Sequence, residues 1–190
     1  MTDFMTREVE HKPRPGGTPN GTVAISESVI GIVVESRLGS FVVQVDKDDY
    51  PPLSPYRWYV YQNGYTEYAK ADCVADGHNN CRVYAHRLIT GFSEVDHENH
   101  DGLDNRRDNL RLASRSQNIV NCRVRSRNTS GYTGVSWDKR HRKWEAYYSS
   151  NNKKVSLGLF SEILDAAEAR FKAVTKEYGE FAPSDGVRDD

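Results

Sequence analysis

Residues 95–118, VDHENHDGLDNRRDNLRLASRSQN, decide how the middle of the chain folds. They contain two His, five acidic residues, four Asn and four Arg, and their apolar side chains are thinly spread. The grouping predicts four successive segments. EVDH ends a strand, ENHDGLDNRRD is a loop, NLRLAS begins a second strand, and RSQNIVNC begins a helix. The polar side chains of the loop would then face a common point between two strands and a helix.

Four side chains of this stretch suit the hydrolysis of a phosphate ester. Asp96 offers a carboxylate and Asn118 an amide oxygen, and both are hard donors that suit Mg²⁺. His97 is the plausible base, because the unperturbed pKa of a histidine lies near neutrality. Asn109 could contact the far ring nitrogen of His97 and fix its tautomer. Such a set supplies a base that activates water and a metal that offsets phosphate charge.

The segments before this stretch predict a small antiparallel sheet over 22–83, with scaffolding favoured over DNA contact as its role. SVIGIVVES and SFVVQVD are β-branched runs that indicate a hairpin. Asn63 and Gly64 predict a tight turn between two aromatic-rich strands. CRVYAHRLITG predicts a strand that runs into a short helix ending at Gly91. Residues 1–21, rich in Pro and Gly, are expected to form a flexible tail.

The segments after it predict three short strands and one helix over 129–182, followed by a tail at 183–190. Ser161 can cap the helix and Gly179 can close it. Apolar residues at helical spacing are expected to face the sheet, namely Leu164, Ala167, Phe171, Val174 and Tyr178. With the central motif and a basic linker at 84–128, the predicted class is α+β.

Charge is distributed unevenly along the 190 residues, although the net charge is only −1. Residues 106–127 hold seven Arg and one Asp, whereas residues from 161 onward hold eight acidic and four basic side chains. This asymmetry predicts a middle that faces nucleic acid and a solvated end. No N-terminal apolar signal region or long apolar run occurs, so the chain is expected to be soluble and cytoplasmic, with no membrane partner.

The three cysteines, Cys73, Cys81 and Cys122, are odd in number and include no CxxC pair. They therefore indicate neither a disulfide framework nor a zinc ribbon. A metal held by Cys73, His78 and Cys81 is a minor alternative, because tetrahedral zinc requires four ligands at tighter spacing.

The central stretch resembles the HNH (ββα-metal) nucleases, specifically the homing endonucleases of phages and mobile introns. The matching pieces are HRL at 86–88, DH at 96–97, DN at 104–105, NLR at 109–111 and QN at 117–118. The resemblance implies that His97 is the general base and that Asn109 orients it. It implies that Asp96 and Asn118 hold one divalent metal, Mg²⁺ or Mn²⁺. The loop ENHDG departs from the family pattern, which leaves His100 as an alternative contact.

The same resemblance implies double-stranded DNA as the partner, with no small-molecule cofactor. The residues expected to contact DNA are His86, for which a structural hydrogen bond is an equal alternative, and Arg106, Arg107, Arg111, Arg115, Arg123, Arg125, Arg127, Lys139, Arg140, Arg142 and Lys154.

Residues 130–181 resemble the AP2/ERF DNA-binding domain, on the segments YTGVSW, KWEAYY and SLGLFSEILDAAEAR. The resemblance implies a three-stranded sheet with a helix packed behind it. The outward strand positions here are mostly Ser, Tyr and acidic, while basic residues gather in the first turn. We therefore expect this module to anchor the DNA backbone rather than to read bases. Trp137 and Trp144 suit a core position and a contact position equally.

The favoured function is a metal-dependent, site-specific DNA endonuclease of the homing type. HNH sites cut one strand each, so the chain would nick DNA, and a homodimer would be needed to cut both strands. A restriction or degradative HNH nuclease is an alternative within the enzyme class. A DNA-binding regulator whose HNH motif is inactive is the alternative from another class.

Overall fold

The computed structural model describes residues 12–37, 39–64, 66–75, 78–120, 128–150 and 153–182, with the backbone alone for 75, 78–80, 119 and 120. The fold is mixed, with several antiparallel sheets and few helices. Its strands are β1 (Lys12–Pro13), β2 (Thr22–Ala24), β3 (Val29–Ser36), β4 (Gly39–Asp46), β5 (Trp58–Asn63), β6 (Thr66–Ala75), β7 (His78–Tyr84), β8 (Val95–His97), β9 (Leu110–Leu112), β10 (Val135–Asp138), β11 (Lys143–Ser150) and β12 (Lys153–Phe160). Its α-helices are α1 (Tyr50–Leu53), α2 (Ala85–Thr90), α3 (Arg115–Val120) and α4 (Ile163–Tyr178).

The chain divides into two compact units, residues 1–112 and 113–190. This division places β8 and β9 with the N-terminal sheets and α3 with the C-terminal strands. Among the described residues, no helix is both long enough and apolar enough to span a membrane.

Two of the sheets of the first unit share one core. The predicted hairpin is confirmed as β3 and β4, which join β2 in the order β2-β3-β4. Alternation along these strands buries Ile32, Val34, Val43 and Val45 almost completely. In the second sheet, β6 pairs with β1, β5 and β7.

The predicted turn follows β5, but Asn63 is still a strand residue that pairs with Thr66, so the turn begins at Gly64. Gly64 adopts a φ of 67° that favours glycine. The prediction for CRVYAHRLITG is also confirmed. β7 leads directly into α2, which ends at Gly91 in the left-handed conformation.

Residues from Lys12 onward belong to the fold, unlike the tail that was expected over 1–21. β1 pairs with β6. The Asn20 side chain accepts a hydrogen bond from Trp58 N at 2.6 Å and donates to Trp58 O and Val33 O. An amide that satisfies backbone groups of both sheets is a long-range contact, which the Pro/Gly composition of the segment could not indicate.

Cys73 and Cys81 form a disulfide between β6 and β7, with Cα atoms 4.8 Å apart. They are direct partners in the strand register, which brings their side chains together. The cysteine count did not indicate this pair, because the pairing depends on register rather than on spacing. The minor alternative of a metal on these thiols is wrong for this disulfide-bonded form.

The second unit contains the predicted three strands and one helix, in the sheet order β10-β11-β12. The N-cap of α4 is Glu162 rather than Ser161. The predicted helix face is partly wrong, since Leu164 is 64% and Phe171 41% exposed.

The buried residues of α4 are Val174, which was predicted, and Ala166 and Arg170, which were not. Ala166 packs in one cluster with Ala146 and Val135 of the sheet. Small side chains on both sides permit a close approach of helix and sheet. Leu164 lies two positions before the buried Ala166, about 200° around the helix, and therefore faces solvent. Trp144 packs against the same cluster, whereas Trp137 is 45% exposed and meets the Trp144 ring edge-on at 5.1 Å.

Candidate active site

The candidate site is built on β8, β9 and the loop between them. β8 and β9 pair antiparallel, with Asp96 opposite Arg111 and His97 opposite Leu110. The loop is fixed to the first sheet through β4. Gln44 N donates to Leu103 O at 2.9 Å and Asn105 N donates to Gln44 O at 2.8 Å.

The loop segment ENHDG is held by short side-chain bonds to its own backbone. Asn99 Oδ1 accepts from Asp101 N, and Asp101 Oδ1 accepts from Leu103 N, each at 2.9 Å. His100 between them has a φ of 62°. Gly102 is buried, and a Cβ atom there would lie 2.2 Å from the backbone oxygen of Glu67. The segment ENHDG, which departs from the pattern of the nucleases that the stretch resembles, is therefore an ordered turn that brings Gly102 against β6.

His97 lies in an aromatic pocket. Its side chain is buried, and its ring centroid is 5.0 Å from that of His86 and 5.8 Å from that of Tyr68. His86 is buried as well, and its ring stacks on Tyr84 at 5.3 Å. His86, which was expected to contact DNA, is therefore buried and packs against the candidate base His97.

The tautomer of His97 follows from the amide of Asn105, which approaches its ring. The Asn105 amide donates to Gly102 O at 3.4 Å, which directs its Oδ1 toward His97 Nε2 at 3.5 Å. An oxygen at that position favours a proton on Nε2. The lone pair of the neutral ring then lies on Nδ1, which is the atom able to accept a proton.

Burial keeps both histidines neutral. For His97, burial lowers the pKa below 6.5 and outweighs the hydrogen bond to Asn105 and the nearby charges of Asp96, Asp101 and Asp104, which raise it. For His86, burial lowers the pKa to about 3, with smaller contributions from His97 and Arg87. Nδ1 of His86 is buried and has no hydrogen-bond partner within the described part of the chain. A neutral His97 is the protonation state that a general base requires.

Asn109 contacts the loop rather than the base. Its Nδ2 donates to Asp104 O at 2.7 Å and its Oδ1 accepts from Asn99 N at 2.9 Å. It had been expected to orient the ring of His97, but the amide that approaches the ring is that of Asn105. Spacing alone does not distinguish the two, because both are loop asparagines near the same strand.

Asp96 is paired with Arg111 across the two strands. Its Oδ2 accepts from Arg111 Nε at 2.9 Å and lies 2.8 Å from Nη2, and both side chains are largely buried. Within the described residues, no cluster of three His, Cys, Asp or Glu side chains could hold a metal. A site of one carboxylate still fits Mg²⁺, which binds through one or two carboxylates and completes its shell with water and phosphate.

Asn118, the second expected metal ligand, lies on α3 in the second unit. The start of this helix is a capping box, in which Ser114 N donates to Gln117 Oε1 at 2.6 Å and Gln117 N donates to Ser114 Oγ at 3.3 Å. Asn118 N donates to Ser114 O at 3.0 Å. The SRSQN segment thus forms the predicted helix start.

Three of the arginines expected to contact phosphate are engaged with carboxylates. Arg106 binds Asp104 with two nitrogens, at 2.7 and 2.6 Å. Burial alone would raise the pKa of Asp104, but the bonds and charge of Arg106 lower it overall. Arg107 binds both oxygens of Asp49 at 2.7 and 2.6 Å, and the third is Arg111. These pairs compete with any contact to DNA.

The remaining expected DNA contacts lie in the second unit or outside the described residues. Arg115 and the turn residues Lys139, Arg140 and Arg142 are exposed. Lys154 pairs with Glu145 at 2.8 Å and lies 4.2 Å above the Tyr147 ring. The linker residues Arg123, Arg125 and Arg127 fall outside the described part of the chain.

Sequence reasoning assigned no role beside the candidate base to Tyr68, which contacts both histidines, or to Asn105. Period-two alternation in TEYAKADC does place Tyr68, Lys70 and Asp72 on one side of β6. The sequence therefore indicates which side of β6 carries Tyr68, but it does not indicate that this side contacts the loop between β8 and β9.

Comparison with known proteins supports a nuclease domain in the middle of the chain. Residues 93–120 match the HNH endonuclease family. The chain is also 28% identical over 88 residues to Protein 3.8 of Escherichia phage T7, an alignment that covers 46% of this chain and 72% of that protein. No solved structure matches the chain. The residues that match the HNH endonuclease family are those that form β8, the loop, β9 and α3.

Proposed function

We propose that the chain is a metal-dependent DNA endonuclease of the HNH homing type, which hydrolyses a phosphodiester bond with His97 as general base. The observation that carries this proposal is the state of His97. It is buried, neutral, directed by Asn105 and adjacent in sequence to the carboxylate of Asp96.

In this proposal, Nδ1 of His97 takes a proton from a water molecule, and the oxygen of that water attacks the phosphorus. The bond from phosphorus to the leaving oxygen breaks as the new bond forms. Asp96, together with Asn118, would hold the divalent metal, Mg²⁺ or Mn²⁺, which when bound offsets charge on the phosphate oxygens. The ion pair with Arg111 neutralises the carboxylate of Asp96. Arg111 would have to shift for Asp96 to bind the metal as well.

The second unit is proposed to anchor the enzyme on its target. Its three strands and one helix are consistent with an AP2-like module, and the exposed basic turn between β10 and β11 suits phosphate contacts. Anchoring of this kind would add affinity and fix the position of a domain that nicks one strand, but it would carry no sequence information by itself. Cutting of both strands would then require two copies of the chain.

The test is incubation of the full chain with supercoiled plasmid DNA and Mg²⁺ or Mn²⁺. We expect nicking that EDTA abolishes and that His97→Ala lowers by at least about two orders of magnitude, as for loss of a general base. His100→Asn is the matched control, because it removes a histidine from the same loop and asparagine tolerates the positive φ.

Equal loss in both variants would contradict the assignment of His97. If the parent binds DNA but cuts none of a library of candidate sites, the hypothesis of a DNA-binding regulator replaces the nuclease.

A further inference from the structure

One side of the second sheet combines aromatic and basic side chains. This side, which we call the tyrosine–basic face, is defined by Tyr61, Tyr68, Lys70, Asp72, Arg82 and Tyr84. The strand register places them together, because Lys70 is opposite Tyr84, and Asp72 is opposite Arg82. Tyr61 is opposite Tyr68 in the same way. The alternate residues of β6 form the core on the other side of the sheet.

Lys70 places a positive charge in the middle of this face. Its Nζ lies 4.0 Å from the centroid of the Tyr61 ring and 5.0 Å from that of Tyr84. Within the described residues no carboxylate pairs with Lys70, although it is only 8% exposed. Cation–π contacts hold the amino group in place but leave its charge unneutralised.

The far end of the face is an arginine-lined cavity of about 410 Å³. Arg14, Gly16, Gly17 and Arg57 line it together with Asp72. Arg14 and Arg82 each lie 3.8 Å from Asp72 and are 59% and 66% exposed, so this single carboxylate holds two guanidinium groups loosely. The volume is within the range of small-ligand sites and accommodates a phosphate with its sugar.

The near end of the face is the candidate active site. Tyr84 stacks on His86, and Tyr68 contacts the ring of His97. Asp72 lies four positions after Tyr68 on β6, a distance of about 13 Å along an extended strand. This is the axial length of about four nucleotides of one DNA strand.

We propose that the tyrosine–basic face carries the sugar–phosphate backbone of the DNA strand that enters the catalytic loop, with one phosphate bound in the cavity between Arg14 and Arg57. The inference rests on the proposed function for DNA as the substrate. Charge complementarity identifies the occupant. Arg82, Arg14 and Arg57 present exposed positive charges to a polyanion, and the buried charge of Lys70 adds to them. Asp72 is the opposing charge, in a chain whose net charge is −1. The sheet is then a binding surface as well as a scaffold.

The test measures how the affinity of the full chain for a short DNA duplex depends on salt concentration. Binding is detected by fluorescence anisotropy, and EDTA is present so that no cleavage occurs. In Arg14→Ala/Arg82→Ala, the slope of log K against log salt is expected to fall by about 1.8, at about 0.9 per lost phosphate contact. Affinity at low salt is expected to fall about tenfold or more. Arg37→Ala/Lys47→Ala removes two exposed charges from other elements and is the matched control.

Asp72→Asn gives a second, opposite readout. It removes the one acid of the face and releases Arg14 and Arg82, so DNA binding is expected to tighten about threefold or more, with no fall in the slope. A parental slope in the double arginine variant, or weaker binding in Asp72→Asn, overturns the inference while leaving the nuclease proposal in place. A parent that binds no DNA overturns the proposed function, and the inference with it.

Discussion

Acid should destabilise the first unit through His86, and the structure gives the size of the effect. The pKa of His86 is about 3 in the fold, against 6.5 for an ordinary histidine. The unfolded chain therefore binds the proton more tightly at every pH between these values. The contribution of His86 to stability is complete above pH 6.5 and declines as the pH falls toward 3. Between pH 7 and pH 5 the loss amounts to about 2 kcal/mol, because the slope approaches about 1.36 kcal/mol per pH unit below pH 6.5.

The perturbation that isolates this contribution is His86→Phe. Phenylalanine retains a ring that can stack on Tyr84 and pack on Tyr68, but it has no nitrogen to protonate. The free energy of unfolding should fall between pH 7 and pH 5, and this fall should be about 2 kcal/mol larger in the parent than in the variant. Some pH dependence remains in the variant, since burial lowers the pKa of His97 in the same direction.

The assay is urea denaturation at pH 7 and pH 5, followed by the fluorescence of Trp58. Trp58 is buried in the core of the first unit, whereas Trp137 and Trp144 belong to the second and are replaced by Phe in all samples. His141→Gln removes an exposed histidine of the second unit and is the matched control. If His86→Phe shows the same difference between the two pH values as the parent, then His86 is not the buried neutral group described above.

Two further predictions concern the loop and the ion pair. Gly102→Ala should destabilise the first unit by about 1–3 kcal/mol in urea denaturation, because its Cβ would meet the backbone oxygen of Glu67, which cannot move aside as a side chain can. Gly21→Ala, with open space around its Cβ, should cost far less, and equal costs would contradict the close approach. Arg111→Gln should lower stability by about 1–3 kcal/mol by leaving the carboxylate of Asp96 without its cation. Mg²⁺ should raise the melting temperature of this variant more than that of the parent, and no added effect of Mg²⁺ would argue against a metal at Asp96.

Features set by local residue preferences were predicted from the sequence. Gly64 and Gly91 both adopt positive φ, and they end the segments that their positions predicted. The hairpin of β3 and β4 follows from its β-branched alternation. The segments of residues 95–118 also have the predicted order, since a strand, a loop, a strand and a helix start each carry their own short signal.

Features set by register and packing could not be predicted in this way. The Cys73–Cys81 disulfide requires the pairing of β6 with β7, and Asn20 acts on residues far along the chain. The exchange of roles between Asn105 and Asn109 depends on which amide the loop turns inward. A motif fixes residue types and spacing, and it leaves such three-dimensional choices open.

The packing around His97 links the acid sensitivity of the fold to the chemistry proposed for it. Burial by Tyr68 and His86 lowers the pKa of the base, so a lone pair is available at neutral pH. The same burial makes protonation of either histidine unfavourable in the folded state, so stability must fall where the base would become charged. A more exposed His97 would relieve the acid instability, but a larger fraction of it would be protonated near pH 6.5. We therefore expect variants that open this pocket to lose less unfolding free energy between pH 7 and pH 5 than the parent loses. At slightly acidic pH, the same variants should cut DNA more slowly relative to their own rate at pH 8 than the parent does.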